Sequence, residues 1–412
     1  MRPAGFGEGP APFTAADSPR LNVTDHNTPP AAASVVTRTN ETGLGRDTEA
    51  RPAEARANAP GPRGLVLPLT APPFRPHPLF RSGHAQTLAA YLWPRRRSMR
   101  ARARRDEARL FEVEPRAQVL VRCRWQPEPR WAPTLLLVHG LEGSSESPYM
   151  LGTAEKAYRA GFNALRMNLR TCGDTLHLTQ TLYHSGLSQD IRAVVEELSE
   201  RDGLKEIFLA GFSLGGNQSL KLAGEAGGVV PESLRGVCAV SPSVDLAACA
   251  DAIHLRSNWI YSQRFLRSLK RRLRAAAARY PETFSAGAAD SVRSIREFDS
   301  LVTAPHGGFA DADDYYARSS ALQFINSIRT PTLVVQAQDD PFVPFESFRH
   351  PSFASNPSVV LLAPERGGHV GFLSDDAAAN GGDRFWAENR IVDFCLSLRR
   401  GAGVNRAAGA RT

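Results

Sequence analysis

Short runs of apolar residues recur along the chain, separated by stretches in which apolar positions return every three or four residues. The runs TLLLVHG, NALRMN, EIFLAG and RGVCAVSP are nearly continuous, as strands covered on both faces are, and they predict four successive buried strands. ARLFEV and AQVLVRCRW predict an antiparallel pair ahead of them, and PTLVVQAQ and SVVLLAP predict two later strands. Helical spacing predicts helices near residues 154–160 and 190–200. It also predicts a closing helix in RFWAENRIVDFCLSLRR, with Phe385, Trp386, Ile391, Phe394, Cys395 and Leu398 on its buried side. This alternation implies an α/β fold, a mainly parallel sheet flanked by helices.

Two intervals break the pattern. Residues 1–62 are rich in Ala, Pro, Gly, Thr and Arg without an apolar period, so they cannot bury enough surface to offset the entropy of ordering. A disordered tail is expected there, ahead of one domain over 63–412. Between about 245 and 325 the alternation gives way to helical, Arg-rich sequence that includes YSQRFLRSLKRRLRAAAARY, too long for a simple connection. It predicts an inserted helical cap over the site, with Leu266, Leu269 and Leu273 facing the body and Arg267, Lys270, Arg271 and Arg274 facing water.

Bulk composition narrows the partners. A chain of 412 residues, 42% of them hydrophobic, can bury a full core. The net charge of +8 comes from Arg, including the stretch at 95–109; its two readings are a solvated surface and contact with an anionic membrane surface. No helix-turn-helix, zinc-finger or aromatic single-strand platform is legible, so nucleic acid is not an expected partner. Cys123, Cys172, Cys238, Cys249 and Cys395 are odd in number and lack metal-ligand spacing, which suggests neither a disulfide framework nor a metal site and fits a reducing cytoplasm. The first residues carry no secretory signal pattern, and no apolar run reaches the roughly eighteen residues of a membrane span. The oligomeric state stays open.

Candidate chemistry lies at the strand ends. GFSLGG, residues 211–216, directly follows EIFLA and directly precedes the helix-compatible NQSLKLAGEA. Strand, tight turn and helix are what a nucleophile elbow requires, because the turn is strained and the helix packs closely beneath it. Ser213 is the candidate nucleophile, and Gly211, Gly215 and Gly216 leave the room. In a chain with 33 glycines such a match is weak alone, and its partners give it weight. TLLLVHGLEGSS ends a strand at His139-Gly140, so the N–H groups of Leu141 and Leu214 are candidate donors to the oxygen that turns anionic when a carbonyl is attacked. QAQDDPFVP offers Asp339 and Asp340 as carboxylates for an imidazole N–H, and ERGGHVGFL presents His369 as base toward Ser213, then acid toward the leaving group. Cys172 has no base supplied at this level, and His84 and His184 suit capping or pocket-lining roles.

The segments GHAQTL, HGLEGSS, NLRTCG, LYHSG, GFSLGGN, REFDSLVTAPHGGF, DDPFVP and GGHVGFL jointly resemble the YheT-like branch of the α/β-hydrolases, whose relatives include ABHD-type lipid hydrolases and medium-chain ethyl ester synthase/esterases. The likeness runs over residues 74–398. It implies an α/β-hydrolase fold and a Ser-Asp-His esterase acting on small-molecule or lipid esters, without metal or organic cofactor. Hydrolases of this fold commonly show Asp-x-x-Val-Pro, which selects Asp340 and leaves Asp339 as the alternative. Two departures stand out: Arg170-Thr171-Cys172 where relatives often read Arg-Gly-Cys, and a polar tail where eukaryotic relatives carry a membrane anchor. Three functions follow as expectations: ester hydrolysis, acyl transfer to an alcohol or thiol by the same triad, and a ligand-binding module that has lost activity.

Overall fold

The computed structural model describes residues 72–93, 99, 103, 105–377 and 383–409, the last nine by their helical backbone alone. The expected tail at 1–62 and most of the basic stretch at 95–109 lie outside the described residues. Helix α1 (Gly83–Leu92) precedes the strands β1 (Glu107–Glu114) and β2 (Ala117–Arg124). Then follow β3 (Thr134–Val138), α2 (Pro148–Arg159), β4 (Asn163–Met167), α3 (Ser188–Glu200), β5 (Ile207–Phe212), α4 (Leu214–Gly224) and β6 (Leu234–Val240). A helical segment with α5 (Leu246–His254), α6 (Trp259–Arg279), α7 (Ala286–Ser291) and α8 (Ala312–Ser319) leads to β7 (Thr332–Val335), β8 (Val359–Leu362) and the last helix, α9 (Trp386–Gly409).

The eight strands form one sheet in the order β1-β2-β4-β3-β5-β6-β7-β8. β1 and β2 pair antiparallel, β2 meets β4 antiparallel, and every later pair is parallel, as the apolar runs imply. All five residues of β3 are buried, because both faces are covered. Leu136 and Val138 pack with Ile191, Val194 and Leu198 of α3, while Leu135 and Leu137 pack with Met150 of α2 and with Trp386, Ile391 and Phe394 of α9. The crossovers bring the loops after β3, β5, β6, β7 and β8 to the strands' carboxyl edge, the usual ligand edge of such sheets.

The helical segment differs from expectation in one respect. Leu266, Leu269 and Leu273 are buried, but chiefly against Phe284, Ala289, Val292, Phe298 and Val302 of the same segment, which thus has a small core of its own. α7 and the turns after it lie along α6, so the leucine stripe is covered from within, and among the described residues Leu141, Leu176 and Leu182 pack against this core from outside the segment. Arg267, Arg271 and Arg274 are exposed, whereas Lys270 is half-buried.

Candidate active site

Ser213 occupies the turn between β5 and α4 with φ 54° and ψ −118°, a conformation that costs an L-residue energy and persists only where its surroundings impose it. Its N–H donates to the Val240 carbonyl at 2.9 Å. The helix beneath approaches so closely that a Cβ on Gly215 would lie 2.5 Å from the His139 carbonyl oxygen and 2.6 Å from that of Val138. A side chain on Gly211 would collide with the Gly215 carbonyl.

His369 lies in the loop after β8, with Nε2 2.9 Å from Ser213 Oγ and Nδ1 2.9 Å from Asp340 Oδ2. The Asp340 carboxylate is fully buried, and its Oδ1 accepts the N–H groups of Phe342 at 2.9 Å and Val343 at 3.1 Å. Those donors fix it in the plane that faces the imidazole. Asp339 points elsewhere: its Oδ1 accepts the Gly368 N–H at 2.9 Å, so it ties down the loop that carries His369. Burial raises the Asp339 carboxyl above its ordinary range. The His369 N–H donates to Thr87 Oγ1 at 2.8 Å, which brings α1 into the support of the site.

The loop after β3 runs beside the elbow, where a Cβ on Gly140 would stand 2.9 Å from Ser213 Cβ. The Gly140 N–H donates to the Tyr149 hydroxyl at 3.1 Å and the Glu142 N–H to the Tyr183 hydroxyl at 3.0 Å. Between them, the Leu141 N–H has no acceptor among the described residues. The Leu214 N–H, at the first position of α4, has no carbonyl one turn back to serve it. His139 is satisfied rather than reactive: Nδ1 meets the Gly140 carbonyl at 2.8 Å, Nε2 accepts the Leu169 N–H at 3.1 Å, and burial lowers its pKa to about 4.

Glu142, Arg272 and Ser268 are not among the candidates read from the sequence, yet they join the helical segment to this loop. The Glu142 carboxylate, 5% exposed, accepts Arg272 Nε at 2.9 Å, the Tyr183 hydroxyl at 2.8 Å and the Ser268 hydroxyl. Burial opposes its charge, but the Arg272 guanidinium and these donors hold it below the usual carboxylate range. Arg272 also donates to the Thr171 carbonyl. Thr171 has φ 60°, which glycine adopts freely and a β-branched residue does not, so the Arg-Thr-Cys departure places strain in the pocket wall. One signal could have separated Arg272 from Arg267 and Arg274: with Phe265 and Ser268 it shares the stripe beside the leucines, whereas those two lie on the outer face.

Ser213 and His369 open into a pocket of about 1340 Å³, walled by α1, the loop after β3 and α6. The other candidates lie apart from the triad. Cys172 is fully buried with its thiol pushed up to about 12, His84 stacks on Tyr261, and His184 packs edge-on against Phe309 and Tyr315 with its pKa lowered by burial to about 3. Among the described residues no group of three or more His, Cys, Asp or Glu could hold a metal ion, and no helix is long and apolar enough to cross a membrane.

The sequence profile of the α/β hydrolase fold matches residues 133–376. A putative esterase, YheT, of Escherichia coli is 35% identical over 66% of this chain and 79% of its own. A monoacylglycerol lipase of Saccharomyces cerevisiae is 30% identical over 62% of this chain and 57% of its own. The mouse phospholipase ABHD3 is 29% identical over 58% of each.

Proposed function

The chain belongs to the α/β-hydrolase fold family, in its YheT-like branch, and from that premise we propose that it hydrolyses carboxylic esters through an acyl-enzyme on Ser213. The carrying observation is the unbroken chain of hydrogen bonds from Asp340 to His369 to Ser213 Oγ. His369 takes the hydroxyl proton as Oγ attacks the ester carbonyl. Asp340, already held by two backbone donors, stabilises the imidazolium. The carbonyl oxygen, now anionic, is received by the N–H groups of Leu141 and Leu214. As the tetrahedral adduct collapses, His369 returns the proton to the departing alcohol; water then enters by the same route in reverse and frees the acid.

Relatives named as an esterase, a lipase and a phospholipase support a lipid or other carboxylic ester as substrate. The pocket has room for an acyl chain and an alcohol together, since its volume exceeds the roughly 300–1,000 Å³ of common ligand sites. In this reading the helical segment acts as a cap that shapes the pocket through α6. Five buried cysteines, all free of disulfides, suit a reducing compartment such as the cytoplasm.

A panel of p-nitrophenyl esters from acetate to palmitate tests the proposal on wild type and Ser213→Ala. The expected result is turnover by the wild type and a loss of roughly 10⁴-fold or more in the variant. Adding ethanol during turnover separates hydrolysis from acyl transfer. Free acid as the main product supports the proposal, and ethyl ester alone overturns it in favour of a transferase.

A further inference from the structure

Large apolar side chains are exposed together where two helices meet at the rim of the pocket. On α1, Leu88, Tyr91 and Leu92 line the pocket, and Leu92 is 71% exposed. At the corner between α5 and α6, Leu255 is exposed, as are Trp259 (61%) and Ile260 (72%). The helices touch at this point: His84 stacks on Tyr261 with ring centroids 5.7 Å apart, and Arg264 donates to the Tyr91 hydroxyl at 2.7 Å. Leu88, Tyr91 and Leu92 line the opening itself, and Trp259 and Ile260 directly precede Tyr261, which lines it too, so the exposed apolar side chains gather at one edge of the fold, and patches of that kind mark contact surfaces.

The charge on α6 has one sign. α6 contains no Asp or Glu, and from Ile260 onward Arg264, Arg267, Arg271 and Arg274 follow at steps of four and three along one exposed stripe. Arg274 pairs with Asp290, whereas Arg256, Arg267 and Arg271 meet no carboxylate among the described residues. Arg264 and Arg271 also line the pocket that holds Ser213.

From these observations we propose that this rim docks on an anionic lipid bilayer, with Trp259, Ile260, Leu255 and Leu92 entering the interface and the arginine stripe lying on the headgroups. A tryptophan and aliphatic residues at the tip of a basic helical face are what an interfacial helix requires, because apolar burial and attraction to anionic lipid act on the same edge. A second copy of the chain fits less well, since two arginine stripes would face each other. The geometry then gives the bilayer a use: an ester leaving the surface enters the pocket between α1 and α6 without crossing water. Docking itself requires no catalysis, so it stands or falls separately from the hydrolase reading.

The test is flotation of the full chain with vesicles of equimolar phosphatidylglycerol and phosphatidylcholine, against vesicles of phosphatidylcholine alone. Wild type and Ser213→Ala are both expected to float with the anionic vesicles, to float poorly with the neutral ones, and to release as salt is raised. Arg267→Glu lowers the partition about fivefold or more, since each basic residue near such a surface contributes about that factor. Trp259→Ala with Ile260→Ala lowers it further, and both variants keep wild-type rates on a soluble acetate ester, which shows that they fold. Absence of wild-type flotation overturns the proposal, as does flotation unchanged in both variants. A wild-type dimer that the Trp259/Ile260 variant dissociates, without vesicle binding, overturns it in favour of self-association.

Discussion

On the sheet side of the pocket, Ser213, Asp340 and His369 sit on loops that leave β5, β7 and β8, and nearly every group that orients them comes from those loops or the adjoining strand ends. On the helical side, α6 reaches the site through side chains alone, and its principal tie is the Glu142 carboxylate with Arg272 and Ser268. The first arrangement is backbone geometry, which a parallel sheet reproduces wherever those strands form. The second rests on a guanidinium and a carboxylate more than a hundred residues apart, and it gives α6 a hold on the loop that carries the Leu141 N–H. In the proposed reaction the sheet side carries the chemistry, and the helical side shapes access and supports the loop of Leu141.

The sharpest way to break this division is to exchange the two neighbouring acids. Asp340→Asn removes the partner that sets the imidazole tautomer and is expected to lower kcat by about 10⁴-fold. Asp339→Asn keeps an acceptor for the Gly368 N–H and is expected to cost less than about tenfold. Steady-state kinetics on one soluble ester read both, and equal losses would contradict the separate placement of the two carboxylates.

Acid should destabilise the fold through His139 on the sheet side. The His139 pKa lies near 4, below its ordinary 6.5, so between these values the unfolded chain binds a proton that the folded chain does not. Stability from this residue is complete above about 6.5 and is lost as pH falls toward 4, by about 3 kcal/mol in all. Urea unfolding at pH 7 and pH 4.5 should show that decline in wild type and a shallower one in His139→Gln. Identical slopes would remove His139 as its cause.

Arg272→Met tests the helical side. With the tie gone, the Leu141 N–H loses its support from α6, and a fall in kcat of roughly tenfold to a hundredfold with KM nearly unchanged is expected. Arg272→Lys should recover part of it, because a lysine restores the charge though not the reach to the Thr171 carbonyl. A change in KM alone would make the pair a wall of the pocket rather than a support. The smallest effect belongs to Thr171→Gly, which relieves the left-handed backbone at the expense of greater freedom in the unfolded chain. Thermal unfolding should report a gain of under about 1 kcal/mol.

The same division governs what the sequence makes legible. Buried parallel strands are continuous apolar runs, and a nucleophile elbow requires glycines around its serine. Both signals are local, so the sheet and the candidate positions Ser213 and His369 can be read along the chain. Asp339 and Asp340 differ only in which way each side chain leaves the turn, and the Phe342 and Val343 N–H groups decide that in three dimensions. Arg272 is one basic residue among several on α6, and its partner Glu142 lies in another part of the chain. The leucine stripe of α6 is periodic enough to show that it is buried but not against what, since α7 and its neighbours compete with the sheet for it.

The central claim, that Ser213 is a nucleophile activated by His369 and Asp340, is met most directly by intact-mass measurement after treatment with a fluorophosphonate. One adduct on the wild type, mapped to Ser213 and absent from Ser213→Ala and His369→Ala, is the expected result. No adduct on a folded wild-type protein, or an adduct at another residue, would contradict it.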